Sequence, residues 1–105
     1  MSFADILATL PAIDGIAAVE LLDASGNSVA RLENRPGTAG SVRVYHALHA
    51  RFGSINQAAA SEGLALYAEH TADARAFPGK HPNIDRLLAI AEQGAPALSL
   101  RVIAA

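Results

Sequence analysis

Ile16-Ala-Ala-Val-Glu-Leu-Leu22, Asp23-Ala-Ser-Gly-Asn27 and Ser28-Val-Ala-Arg-Leu-Glu33 form one continuous stretch, and its reading decides the fold class. Residues 16–22 are rich in strand formers. Residues 23–27 supply the Asp, Ser, Gly and Asn that tight turns use, and extended character resumes at Ser28, so the stretch predicts a β-hairpin. The spacing of Asp23, Gly26 and Val29 reports turn geometry and carries no information about a ligand. An isolated hairpin is marginal in water and needs a third strand or a helical cover. The C-terminus offers the strand: Leu98, Leu100 and Val102 alternate with Ser99, Arg101 and Ile103.

Between hairpin and C-terminal strand the period changes to that of helices. Val42, Tyr45, Leu48, His49 and Phe52 fall within a sector of about 120° at roughly 100° per residue, which predicts an amphipathic helix ended by Gly53. Ser54-Ile-Asn-Gln57 has the form of a capping box and predicts a second helix start. Helix formers then dominate residues 54–76, favouring one long helix through Gly63. The alternative is a short helix ended at Gly63 and a strand beginning at Leu64-Ala-Leu-Tyr-Ala68. Phe77-Pro-Gly-Lys80 breaks the chain. Pro82 suits the first turn of another helix, whose stripe is Ile84, Leu87, Leu88 and Ala91, with Gly94 just beyond its end. At the N-terminus, Ser2 and Asp5 resemble a capping box for a helix over 3–10 that Pro11 ends. The expectation is a single α+β domain over residues 1–105, with a small antiparallel or mixed sheet covered by about four helices.

Composition narrows the function classes. Hydrophobic residues make up 51% of the 105 residues, enough to close a core. Cys is absent, which excludes disulfides and thiolate metal sites. A net charge of −2 argues against nucleic acid and against a polybasic membrane contact. No apolar run is long enough for a membrane span, and Asp5 stands where a secretory leader needs basic residues, so a cytoplasmic location is expected. A three-stranded sheet leaves open edges with little protective charge, which makes a homodimer the expected partner state.

Two stretches hold the residue types that chemistry needs. The first is the polar run Glu69, His70, Asp73, Arg75, Lys80, His81, Asn83, Asp85 and Arg86. On a helix, His70 and Asp73 share a face with Leu66 and Phe77, and a carboxylate beside an imidazole orients it and raises its basicity. If the chain doubles back at Pro78-Gly79, His81 and Asp85 approach His70, and two imidazoles with carboxylates suit Zn or another divalent metal. His70 and His81 are then the candidate ligands. The plainer reading is an ordinary surface hydrogen bond at His70–Asp73, His81 at a helix N-terminus, and Asp85 answering the helix dipole. The second stretch is Arg35-Pro-Gly37-Thr38-Ala-Gly40-Ser41, leading into a helix with Arg43 in its first turn. Glycine-rich backbone at a helix start presents N–H groups to a small anionic ligand, phosphate or carboxylate, with Arg31, Arg35 and Arg43 adding charge. It lacks the Lys of a P-loop and the spacing of a dinucleotide fold, so a structural loop is the plainer reading. His46 and His49 read as a boundary and a partly buried histidine, and Tyr45 and Tyr67 as core residues with a polar tip.

The run from Tyr67 to Arg86, YAEHTADARAFPGKHPNIDR, taken with the Leu22–Asn27 turn, resembles a small bacterial family known only as a domain of unknown function. The resemblance spans nearly the whole chain. It implies a stand-alone bacterial protein and brings no activity, cofactor or catalytic residue. The residues themselves contain no nucleophile motif. The leading expectation is therefore a non-enzymatic binding or interaction domain, and the rivals are a metal-binding protein or small enzyme using residues 69–86 and an anion site at Gly37–Ser41.

Overall fold

The computed structural model describes residues 1–105. In chain order the elements are α1 (Phe3–Leu7), β1 (Ile16–Leu22), β2 (Ser28–Glu33), α2 (Ala39–Phe52), α3 (Gln57–Leu66), α4 (Glu69–Ala76), α5 (Pro82–Glu92) and β3 (Ser99–Ala104). The sheet is antiparallel throughout, with order β2-β1-β3, so the hairpin and the C-terminal strand meet as expected. Asp23 makes the hairpin turn: its Oδ1 accepts the N–H groups of Ser25 at 2.9 Å and Asn27 at 3.0 Å.

Register follows burial. Val19 lies between Leu32 and Val102, and Leu21 between Ala30 and Leu100, so one face of the sheet is apolar. On the other face Glu20 is flanked by Arg31 and Arg101, whose guanidinium nitrogens lie 3.8 and 2.8 Å from its carboxylate. Exposed pairs of this kind add little stability but keep that face wetted.

α2 lies against all three strands and against α3, and α3 in turn packs on α5. Val44 is fully buried although it falls outside the apolar sector of α2, because this helix is covered on more than one side. α3 approaches its neighbours through small residues: Ala59, Ala60 and Gly63 are buried. A Cβ at Gly63 would stand 2.7 Å from Leu87 Cδ1 and 2.9 Å from Leu48 Cδ1.

Several boundaries differ from expectation. There are five helices, and α1 ends at Leu7, short of Leu10. α2 begins at Ala39, three residues before Val42. Asn56, not Ser54, caps α3, accepting the Ala59 N–H at 2.8 Å, because Ile55 is drawn into a bridge with Leu98. Residues 54–76 form neither one helix nor a helix and a strand. They form two helices broken after Leu66, where His70 N–H bonds to the Tyr67 carbonyl at 3.1 Å and Ala68 adopts φ 51°, ψ −120°. These angles match the first central position of a type II′ turn, a place that favours glycine. Thr71 holds the break by donating its hydroxyl to the Leu64 carbonyl at 2.6 Å, satisfying an acceptor that the helix end leaves free.

Candidate functional site

The break at Ala68 and the Pro78-Gly79 turn bring together the two stretches that stand apart in sequence. They line one open cleft of about 390 Å³, within the size range of small-ligand sites. One wall is Gly37, Thr38, Gly40 and Ser41 at the start of α2. The opposite wall is His70 with the run from Lys80 to Ile84. Phe3 and Tyr67 complete the lining.

The α2 wall is a donor wall. The first turn of a helix has no intrahelical acceptors for its N–H groups. Thr38 and Ala39 donate to the Arg35 carbonyl and Val42 to Thr38, whereas the N–H groups of Gly40 and Ser41 have no partner in the protein. Gly37, at φ +95°, lets the backbone turn into this start. Tyr67 donates its phenolic proton to Ser41 Oγ at 2.6 Å, which leaves the serine's own proton to be donated elsewhere. Burial pushes the Tyr67 phenol well above its usual range, so it stays a donor.

On the opposite wall the chain does double back. The rings of His70 and His81 lie 5.8 Å apart, and His70 also meets the Phe3 ring edge-on. The carboxylate expected to orient His70 serves His81 instead: Asp73 Oδ2 is 2.6 Å from His81 Nε2 and 2.9 Å from Lys80 Nζ. These two hydrogen bonds, His81 first, hold the Asp73 carboxyl below the usual carboxylate range. His70 and Asp73 do stand three residues apart on α4, yet this helical spacing does not pair them. Asp73 pairs instead with the ring that the turn at residues 78–79 returns to it.

Asn83 is fixed from behind. Its Oδ1 accepts from Arg86 at 3.0 Å and its backbone carbonyl accepts from the Tyr45 hydroxyl, which also accepts from Arg86 at 3.1 Å. The Asn83 amide nitrogen is left without a protein partner. Burial pushes the Tyr45 phenol up to about 12.

The remaining expected residues face elsewhere. Glu69 accepts the Phe3 N–H at 2.7 Å, tying α1 to α4. Its carboxyl is held low by its own backbone N–H and then by that of Phe3. Arg75 forms a two-pronged bond with Glu92 at 2.7 Å, and Asp85 accepts the Gly79 N–H at 2.9 Å, both outside the cleft. Arg43 donates to the carbonyls of Leu10 at 2.8 Å and Pro11 at 3.1 Å, so it ties down the chain after α1 and not an anion. Arg35 is exposed and does not line the cleft. Arg31 sits on the outer sheet face with Glu20 and Glu33. No group of three or more His, Asp or Glu side chains is placed to hold a metal ion. Asp73, the carboxylate beside the His70–His81 pair, bonds through one oxygen to His81 and Lys80. His46 and His49 each bury an Nδ1 without a partner.

Phe3, Tyr67, Pro82 and Ile84 are lining residues that sequence reasoning did not assign to a site. The signal for Phe3 was present only as a helix-face residue, since its contact with Tyr67 (stacked rings, centroids 5.1 Å apart) is long-range.

Over residues 3–102 the chain matches a family described as an uncharacterised protein conserved in bacteria, DUF2322. The chain belongs to this family. The match covers every lining residue of the cleft, so the site lies wholly within the family's domain. No curated protein and no solved structure matches the chain. No helix is long and apolar enough to cross a membrane.

Proposed function

We propose that this member of the family is a small-molecule binding protein whose cleft takes the anionic head of its ligand. The observation that carries the reading is the convergence of two distant stretches on one hollow: free N–H groups of Gly40 and Ser41 on one side, Lys80 and the Asn83 amide on the other. Helix N-termini favour negative charge, and a cluster of donors with one ammonium group suits phosphate or carboxylate. Arg31, Arg35 and Arg43, the arginines named from sequence for an anion, do not line the cleft. Lys80, the only lysine in the chain, takes that place.

Inorganic phosphate is the first probe. Bound ligand raises stability by RT ln(1 + [L]/Kd), about 2.7 kcal/mol at a hundredfold excess over Kd. A rise of several degrees in Tm is expected in phosphate but not in sodium chloride of equal ionic strength. Lys80→Ala and Ser41→Ala should each weaken binding by about tenfold, the loss of one hydrogen bond to a charged group. No rise in about 50 mM phosphate, nor in a simple carboxylate at the same concentration, overturns the reading, since a relevant Kd lies well below that. Pairing of two copies along the open edges of β2 or β3 belongs to the same proposal, and sedimentation of the free protein reads it.

A further inference from the structure

We infer that the cleft selects an oxyanion carrying its own O–H, such as hydrogen phosphate or a 2-hydroxy carboxylate, and discriminates against anions that have acceptors only. The inference rests on the anion-binding reading above and names the ligand class for that site.

The argument begins at Asp73. A carboxylate only accepts, so the 2.6 Å contact with His81 Nε2 requires a proton on that nitrogen. Lys80, 2.9 Å from the same oxygen, keeps the carboxylate charged and in place. A neutral imidazole has one N–H. With Nε2 taken, Nδ1 of His81 is a lone-pair acceptor, and it has no partner in the protein. His81 is a quarter exposed and lines the cleft, so Nδ1 is its ring nitrogen left to accept there; His70, the other lining imidazole, has no hydrogen-bond partner to fix its tautomer and can turn either a donor or an acceptor to a ligand.

This mixture sets the selectivity. Gly40, Ser41, Lys80 and the Asn83 amide satisfy the bare oxygens of an anion. His81 Nδ1 needs a proton from the ligand. Hydrogen phosphate provides one, whereas sulfate sets a lone pair against a lone pair and leaves both without a partner. The same logic separates lactate from propionate, which differ by one hydroxyl. A site built to pair a ligand hydroxyl disfavours the analogue that lacks it, because the site's own polar group is then left without a partner.

Binding is measured by calorimetry at about pH 8, where free imidazole is neutral. The pairs are phosphate with sulfate and lactate with propionate, at matched ionic strength. The expected result is a preference of about tenfold or more for the O–H member of at least one pair. The pair that discriminates shows whether the hydroxyl sits on phosphorus or on carbon. In Asp73→Leu no acceptor faces Nε2 and the tautomer is released, so the preference should fall toward unity. Equal affinities within both pairs overturn the inference and leave the binding reading standing. Failure of all four anions to bind overturns the binding reading itself. An undiminished preference in Asp73→Leu also overturns the inference. Because that variant can lose its fold, the imidazole ¹⁵N shifts of the unmodified protein supply a second measurement. A protonated Nε2 with a bare Nδ1 is expected, and a protonated Nδ1 sinks the inference.

Discussion

Ala68 is the residue on which the cleft turns. An L-residue at φ 51°, ψ −120° carries strain of about 1–3 kcal/mol, maintained only where the surroundings over-determine it. Here the constraints are the Thr71 bond to Leu64 on one side and the packing of Tyr67 under Phe3 on the other. The strain sits between Tyr67 and His70, both lining residues, which places it at the site and not at random. Ala68→Gly relieves it at the cost of a more flexible unfolded chain, about 0.5–1 kcal/mol. The expected balance is a gain of about 1 kcal/mol, read as a higher urea midpoint with unchanged slope. Nothing in the local sequence marks Ala68. Gly63 is the breaking point only in the alternative reading of residues 54–76, and glycine there serves close packing and not a turn. Asp73 teaches a related lesson: the residue type and its role beside an imidazole were legible, while the identity of the imidazole depended on a turn that acts across eight positions of sequence.

At the scale of elements, the hairpin, α5 and β3 were legible because local chemistry and burial agree in them. Turn residues sit where the chain turns, Pro82 and Gly94 sit at the two ends of α5, and alternation puts Leu100 on the buried face, though Val102 beyond it is exposed. Residues 54–76 were not legible, because helix propensity is high on both sides of a break that tertiary contacts impose. The same contacts displaced the cap from Ser54 to Asn56. Both halves of the cleft were visible as separate stretches of suggestive composition; the return of His81 toward His70 was visible as a condition on the Pro78-Gly79 turn, and the meeting of that stretch with Gly37–Ser41 was not visible at all. Gly63 shows what holds the helices in the positions that make this meeting possible. Its missing Cβ lets α3 rest on Leu87 and Leu48, which are 0% and 1% exposed and have no free space to retreat into. Gly63→Val adds three carbons there. Overpacking of this kind costs about 1–3 kcal/mol, and the intrinsic gain from removing a helical glycine, at most about 1 kcal/mol, is smaller for a β-branched residue. A net loss of about 2 kcal/mol in urea unfolding is expected, and a stabilised variant would mean that α3 and α5 are not in such close contact.

Over the whole molecule, charge is arranged so that stability is bounded at both ends of the pH scale. Five carboxyls, Glu20, Glu33, Glu69, Asp73 and Glu92, are all held below their usual range, each by a hydrogen bond to a guanidinium, an imidazole or a backbone N–H. A group whose pKa is lower in the folded state binds fewer protons there than in the unfolded chain. Its contribution is present above the unfolded value, about 3.9 for Asp and 4.3 for Glu, and is lost as pH falls through the folded value. Tyr45 and Tyr67 behave in the opposite sense, because burial raises both phenols, that of Tyr45 to about 12. Their contribution is present below the unfolded value near 10 and is lost as pH rises toward the folded one. The urea midpoint should therefore decline below about pH 4.5 and again above about pH 10. The acid limb has many small sources, since most of these pairs are exposed and screened, so no single substitution should remove it. The alkaline limb has two. Tyr67→Phe should reduce it measurably while leaving the acid limb in place, and an unchanged alkaline limb would show that the Tyr67 hydroxyl is not sealed beneath the cleft against Ser41.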